Sequence, residues 1–319
     1  MMMLPLALLL GALPMSGDTV RVETRHFASA AGDRGYRLVQ PSRPRAGMPL
    51  LVVLHGCLQS PEDFARGSQF DLKAARDRGW IVVYPQQEAS NHPNRCWNWY
   101  DPAHQHRGAG EPAILTGIIH EVLQATRADA RRVYLVGVSA GGAMAVNLLA
   151  LYPELFAGVA VHSALPAFAA GNVAEALVAM KAPEPFDTAR AAGRVLSAME
   201  PAGRVVPLMV LQGAADLSVG AANATHLAAQ FGAAYGQLSG DVLVATRAME
   251  ILGGREVSTT SYRHSRGTTD VIIISLVTGL GHAWSGGDKS GTFTDSAGPD
   301  ATGRFLEFLA RHALAERIP

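Results

Sequence analysis

The sequence runs to 319 residues, 48% of them hydrophobic, with 27 Lys and Arg set against 27 Asp and Glu. That length suits one large α/β domain or two small ones, and the apolar share supports a sizeable core. A balanced charge argues against a nucleic-acid partner, whose phosphates call for a basic surface, and gives no reason to expect an anionic membrane or an acidic substrate.

Along the chain, the first feature is an apolar run from Leu4 to Leu13 followed by small residues up to Gly17. It reads as a secretory leader over residues 1–17, although no Lys or Arg precedes it, and it is too short to span a bilayer. A disordered or packed tail is the alternative. Residues 18–319 are then expected to form a single catalytic domain.

Short apolar runs mark buried parallel strands, and three-to-four periodicity marks helices. Val20–Phe27 alternates like an edge strand, and Arg37–Gln40 ends another. Leu50–Leu54 is a buried strand running into His55-Gly56-Cys57. Ser60-Pro-Glu-Asp63 signals a helix start. Trp80–Tyr84 is the next strand, and Glu111-Pro112 opens a helix through Ala125. Arg132–Gly137 is a strand that meets Ser139, and Ala140–Leu151 is the helix that leaves it. Gly158–His162, Val206–Gln212 and Val271–Val277 are further strands, and Asp300–Leu314 is an amphipathic terminal helix. The Ala-rich stretch 166–203 fits either a small insertion over the sheet or ordinary crossover helices. Alternating strands and helices specify an α/β fold, a doubly wound, mostly parallel sheet with helices on both faces.

Gly137-Val-Ser139-Ala-Gly141 sits directly after a strand and before a helix, the setting that a nucleophile elbow requires. The flanking glycines let the chain turn sharply, and the helix N-terminus faces the site of developing negative charge. A serine hydroxyl needs a base, which in turn needs a carboxylate to fix its tautomer. In α/β-hydrolase sheets the chain order is serine, acid, histidine. Asp216 follows the strand Val206–Gln212, and His282 follows Val271–Val277. Asp270 precedes its strand, Asp241 lacks an apolar strand before it, His264 lies upstream of the last strand and His312 falls inside the terminal helix. His226 and His120 read as helix-surface histidines. The catalytic set expected is therefore Ser139, Asp216 and His282.

Oxyanion donors are expected at the main-chain N–H groups of Ala140 and Cys57. Trp97, Trp99 and Trp284 could wall an acyl or aromatic group, with His55 beside them, although such aromatics as often belong to a core. The run Arg107 to Pro112 could cradle an anion at a helix start, but Glu111 more simply complements the helix dipole. No metal and no organic cofactor is expected. Cys57 and Cys96, the two cysteines present, suggest one disulfide in an exported chain, with two buried thiols as the alternative.

Several stretches together resemble the polyhydroxybutyrate depolymerase (LpqC-like) esterase family of the α/β-hydrolase superfamily. They are His55-Gly56-Cys57-x-Gln59, Tyr84-Pro85-Gln86-Gln87, Cys96-Trp97-Asn98-Trp99, Arg107-Gly108-x-Gly110-Glu111-Pro112, Gly137-Val-Ser139-Ala-Gly-Gly142, Val161-His162-Ser163 and Gly281-His282-Ala-Trp284-x-Gly286-Gly287. The likeness runs from about Leu50 to Gly287. It implies the α/β-hydrolase fold and an exported esterase for hydroxyalkanoate polyesters or for feruloyl and acetyl esters of plant polysaccharides. By position it implies the triad Ser139, Asp216 and His282, oxyanion donors at Cys57 and Ala140, and a Cys57–Cys96 bridge. Polymer-degrading members often carry a linker and a substrate-binding domain. The end of this chain at Pro319 favours oligomers, amorphous polyester or small esters. A catalytically silent binding protein of the same fold is the rival from another class. The sequence gives no reading of oligomeric state.

Overall fold

The computed structural model describes residues 19–315, so the expected leader at 1–17 lies outside the described residues. In chain order the elements that position the site are β1 (Val20–Ser29), β2 (Gly32–Pro41), β3 (Leu50–Leu54), α1 (Pro61–Ser68), β4 (Ile81–Pro85), α2 (Gly110–Thr126), β5 (Val133–Val138), α3 (Ala140–Leu151) and β6 (Gly158–His162). They continue with α4 (Val173–Met180), α5 (Thr188–Met199), β7 (Leu208–Gly213), α6 (Ala222–Ser239), β8 (Leu243–Leu252), β9 (Arg255–His264), β10 (Asp270–Val277) and α7 (Ala301–Leu309).

One ten-stranded sheet has the order β1-β2-β4-β3-β5-β6-β7-β10-β9-β8. Its six central strands, β4 through β10, are parallel, and an antiparallel hairpin flanks them on each side. Strands buried on both faces need apolar residues at every position, and these supply them. Leu50, Val52 and Leu54 of β3 enter one core with Val133 and Leu135 of β5 and Val210 of β7. Leu51, Val53, Tyr134, Val136 and Leu211 enter a second core on the opposite face. Helices α2, α3, α5 and α6 cover the first face, while α1 and α7 cover the second. The doubly wound arrangement is as expected.

Local signals explain most boundaries. Ser60 caps α1 by accepting from Asp63 N, with Pro61 in the first turn. Helix α3 is buried on every side, which explains its lack of a polar stripe. One expectation changes. The terminal helix stops at Leu309 rather than Leu314, capped at its start by Asp300, so His312 lies beyond it. Asp241 follows α6 and no strand, as expected, and two residues after it begins β8, the outer strand of a hairpin with β9 that the sequence does not separate.

The stretch 166–203 contains both kinds of element anticipated for it. Helix α5 buries Ala192, Val195 and Met199 as a crossover helix over the sheet. Helix α4 buries only Ala176. Its C-terminal end is fastened to the loop after β7: Gly220 N donates to Met180 O at 2.7 Å, Lys181 Nζ donates to Leu217 O at 2.8 Å, and Asn223 Nδ2 donates to the carbonyls of Ala179 and Met180.

Candidate active site

Because β3, β5, β6, β7 and β10 run parallel, the segments leaving their carboxyl ends gather at one rim. That rim receives Gly56-Cys57, Ser139, His162-Ser163, Asp216 and His282.

Ser139 occupies the turn between β5 and α3 with φ 56° and ψ −124°, a conformation that non-glycine residues rarely adopt. The strain holds because the neighbours allow no other route. A Cβ on Gly141 would overlap the carbonyls of Leu54 and His55, and one on Gly137 would overlap the backbone of Gly141 and Gly142. The turn thus projects Oγ while β3 and α3 close up behind it.

Ser139 Oγ lies 3.0 Å from His282 Nε2, and His282 Nδ1 lies 2.8 Å from Asp216 Oδ2. The His282 side chain is 21% exposed and that of Asp216 is fully enclosed. Asp216 Oδ1 accepts from the N–H groups of Ser218 and Val219 at 2.9 and 2.8 Å. Oδ2 also accepts from Ser163 Oγ at 2.9 Å and Gln212 Nε2 at 3.2 Å. Burial alone would raise the proton affinity of this carboxyl. The His282 bond and charge, then the Val219 and Ser163 bonds, outweigh it and hold the pKa below the usual carboxylate range. With Asp216 ionised, Nδ1 of His282 carries the proton and Nε2 is left to accept one from Ser139, which is the geometry of a base-activated nucleophile.

The loop after β3 is fixed at both polar atoms of Gly56. Gly56 N donates to Gln59 Oε1 at 3.0 Å, and His55 Nδ1 donates to Gly56 O at 2.8 Å. His55 Nε2 accepts from Gln87 N at 3.1 Å, which sets that tautomer. Cys57 N makes no hydrogen bond among the described residues, and Ala140 N, at the first position of α3, has no intrahelical partner. A Cβ on Gly56 would lie 3.4 Å from Ser139 Cβ, so this loop passes against the serine. Cys57 and Cys96 form a disulfide.

A cleft of about 210 Å³ opens over Ser139 and His282, lined by apolar side chains that include Leu58, Met180, Trp284 and Phe293. A larger cleft of about 710 Å³ lies between α4, α5 and α6 and borders none of the five segments at the rim. Of the four expected substrate-facing residues, only Trp284 borders the catalytic cleft. Even Trp284 is almost wholly buried, edge-on to Phe64 and Phe305, with its indole N–H on Thr302. Trp97, Trp99 and His55 are corrected to core residues. Trp97 is fully enclosed and donates to His55 O at 3.1 Å, Trp99 packs in the first core, and His55 is enclosed with both ring nitrogens engaged.

Glu111 holds more than a helix dipole. Buried beside Arg34, it accepts from Gln87 Nε2, Asn98 N and Asn98 Nδ2, and so ties α2 to the segment around Cys96. His120 is exposed as expected. His226 is not: it is buried, 2.6 Å from Glu184 and stacked on Phe186. Sequence reasoning assigned no part to Ser163, Gln212, Met180 or Phe293. A signal for Ser163 was present in Val161-His162-Ser163 at a strand's carboxyl end. Among the described residues no group of three or more His, Cys, Asp or Glu side chains is placed to hold a metal ion. No helix among them is long and apolar enough to cross a membrane.

Comparison with known proteins follows the same lines. A family profile described as esterase PHB depolymerase matches residues 36–256. Poly(3-hydroxyalkanoate) depolymerase C of Paucimonas lemoignei is 31% identical over 197 residues, 60% of this chain and 46% of that protein. Feruloyl esterase B of Thermothelomyces thermophilus is 32% identical over 124 residues, 39% of this chain and 41% of that protein. The matches thus span less than half the length of these two relatives. Among solved structures, an acetyl xylan esterase from Aspergillus awamori superposes with a TM-score of 0.69 at 17% identity, over 92% of this chain and 99% of that one. That likeness concerns the fold, which is the α/β-hydrolase fold.

Proposed function

The chain belongs to the esterase PHB depolymerase family, and on that footing we propose that it hydrolyses carboxylic esters through an acyl-enzyme on Ser139. The observation that carries this reading is the line from Ser139 Oγ through His282 to the enclosed Asp216, at 3.0 and 2.8 Å. Ser139 Oγ adds to the ester carbonyl carbon as His282 Nε2 takes its proton. The tetrahedral oxyanion lies between the N–H groups of Cys57 and Ala140. Collapse expels the alcohol, which takes the proton from His282. Water then repeats the sequence on the acyl-serine and releases the acid. Asp216 keeps the imidazole in the productive tautomer throughout. No step calls on a cofactor.

The small apolar cleft supports a short acyl group, such as a hydroxybutyryl unit of a hydroxyalkanoate polyester or oligomer. A feruloyl or acetylxylan esterase is the runner-up, on the strength of the feruloyl esterase relative. The disulfide supports an oxidising compartment, and we propose export directed by residues 1–17 with 18–319 as one catalytic domain.

Replacing Ser139 by Ala should lower turnover of p-nitrophenyl butyrate by roughly 10⁴-fold or more while leaving the circular dichroism spectrum and melting unchanged. Retained turnover would falsify the assignment. Relative rates on hydroxybutyrate oligomers and methyl ferulate separate the two substrate readings.

A further inference from the structure

His162 and Ser163 end β6 at the functional rim, and the chemistry above gives neither of them a part. We propose that they are positioning residues: a hydrogen-bonded relay that orients the Asp216 carboxylate and ties it to the segment carrying His282. This inference rests on the reading of Ser139, His282 and Asp216 as the reacting set.

The direction of each bond follows from proton counting. Asp216 Oδ2, ionised, can only accept, so the Ser163 hydroxyl spends its single proton on it at 2.9 Å. The 3.1 Å approach of His162 Nδ1 to Ser163 Oγ must then be a donation from the ring N–H. That leaves His162 Nε2 with a lone pair, and it accepts from Ser285 N at 3.4 Å. Ser285 is three residues beyond His282, whose own Nδ1 returns to Asp216 Oδ2. The circuit closes: His282, Asp216, Ser163, His162, Ser285, and along the chain to His282.

Only a neutral imidazole can donate at one nitrogen and accept at the other. Complete burial pushes His162 down to about 3, so it stays neutral across ordinary pH. Its ring also lies against Trp284, centroids 5.3 Å apart, which holds its plane. His162 is fully enclosed; Ser163 borders the cleft but is only 1% exposed and its hydroxyl proton is already committed to Asp216, so both act through the acid. Ser163 has φ 52°, in the left-handed region.

The test is a double-mutant cycle on kcat and KM. Ser163→Ala should lower kcat about tenfold, the order expected for one hydrogen bond to a charged group, with KM within about twofold. In an Asp216→Asn background the same change should cause no further loss. Ser163→Gly, which suits the positive φ, repeats the measurement should the Ala variant fold poorly. His162→Asn keeps a donor near the Nδ1 position and should retain more kcat than His162→Gln, which keeps only the far end of the ring. Equal losses from Ser163→Ala in both backgrounds, a change in KM alone, or indistinguishable Asn and Gln variants would overturn the relay. If Asp216→Asn alone leaves turnover intact, the triad reading fails instead, so the two failures are distinct.

Discussion

Gly213 and Leu280 meet backbone to backbone, with no side chain between the loop that carries Asp216 and the loop that carries His282. A Cβ on Gly213 would overlap the carbonyls of Leu280 and Gly281. Cross-bonds from Ala214 N to Val277 O and from Ala215 N to Leu280 O, at 2.9 and 3.0 Å, clamp the two loops further. Gly213→Ala should therefore part acid and base. A displacement of about 1 Å costs on the order of 100-fold in kcat, and melting should fall by several degrees, as for other overpacked sites. Steady-state kinetics together with calorimetry check both; wild-type kcat in the variant contradicts the argument.

Reduction of the Cys57–Cys96 bridge should act twice. The bridge joins residues 39 apart, which in the chain-entropy model is worth about 4 kcal/mol. It also anchors the loop whose Cys57 N–H is the proposed oxyanion donor. A Cys57→Ser, Cys96→Ser variant should denature at lower urea and lose kcat more than KM. Unchanged urea midpoints with and without reductant would contradict the first effect.

Stability should fall with acid before the carboxylates titrate. Burial pushes His55 to about 4 and His162 to about 3, while an exposed histidine titrates near 6.5. Above that value neither state binds the protons, and the contribution is complete. Below it the unfolded chain takes up two that the native state refuses, so the contribution drains away until the folded values are passed. The slope reaches roughly 3 kcal/mol per pH unit with both imidazoles titrating. Urea melts between pH 7 and 4 measure it, and His55→Gln should remove about half.

Chain-length preference should follow Met180 and Phe293, which line the small cleft. Met180→Ala or Phe293→Ala should raise kcat/KM for p-nitrophenyl octanoate relative to butyrate by about tenfold, the scale on which apolar pockets discriminate methylene groups. An unchanged ratio in both variants would show that the acyl chain lies elsewhere.

The central strands were legible because parallel strands buried on both faces leave unbroken apolar runs; Leu50–Leu54 and Gly158–His162 carry the same bounds in sequence and structure. Ser139, Asp216 and His282, the proposed reacting set, each follow such a run, which is the signal the sequence offers for them. The hairpin β8–β9 escaped because exposed strands need no apolar alternation: Val244, Met249 and Ile251 face solvent. Its readable signal was Gly253-Gly254 between two β-prone runs, a two-residue hairpin turn. Trp97, Trp99 and His55 were misplaced because sequence adjacency to a functional loop does not say which side of that loop a ring occupies. Here the indole and imidazole turn inward to bind backbone. Met180 and Phe293 depend on three-dimensional meetings between distant segments, which no periodicity encodes, whereas Ser163 is signalled by its place just after β6.

The attachment of α4 to the loop after β7 couples two properties of the cleft. The helix that narrows the cleft through Met180 shares its last turn with the support of Asp216, by way of Leu217, Gly220 and Asn223. Selectivity and turnover are therefore geared together in this scaffold. A change in α4 that admits bulkier acids disturbs those four bonds as well, whereas Phe293 lines the same cleft from a segment that carries none of them.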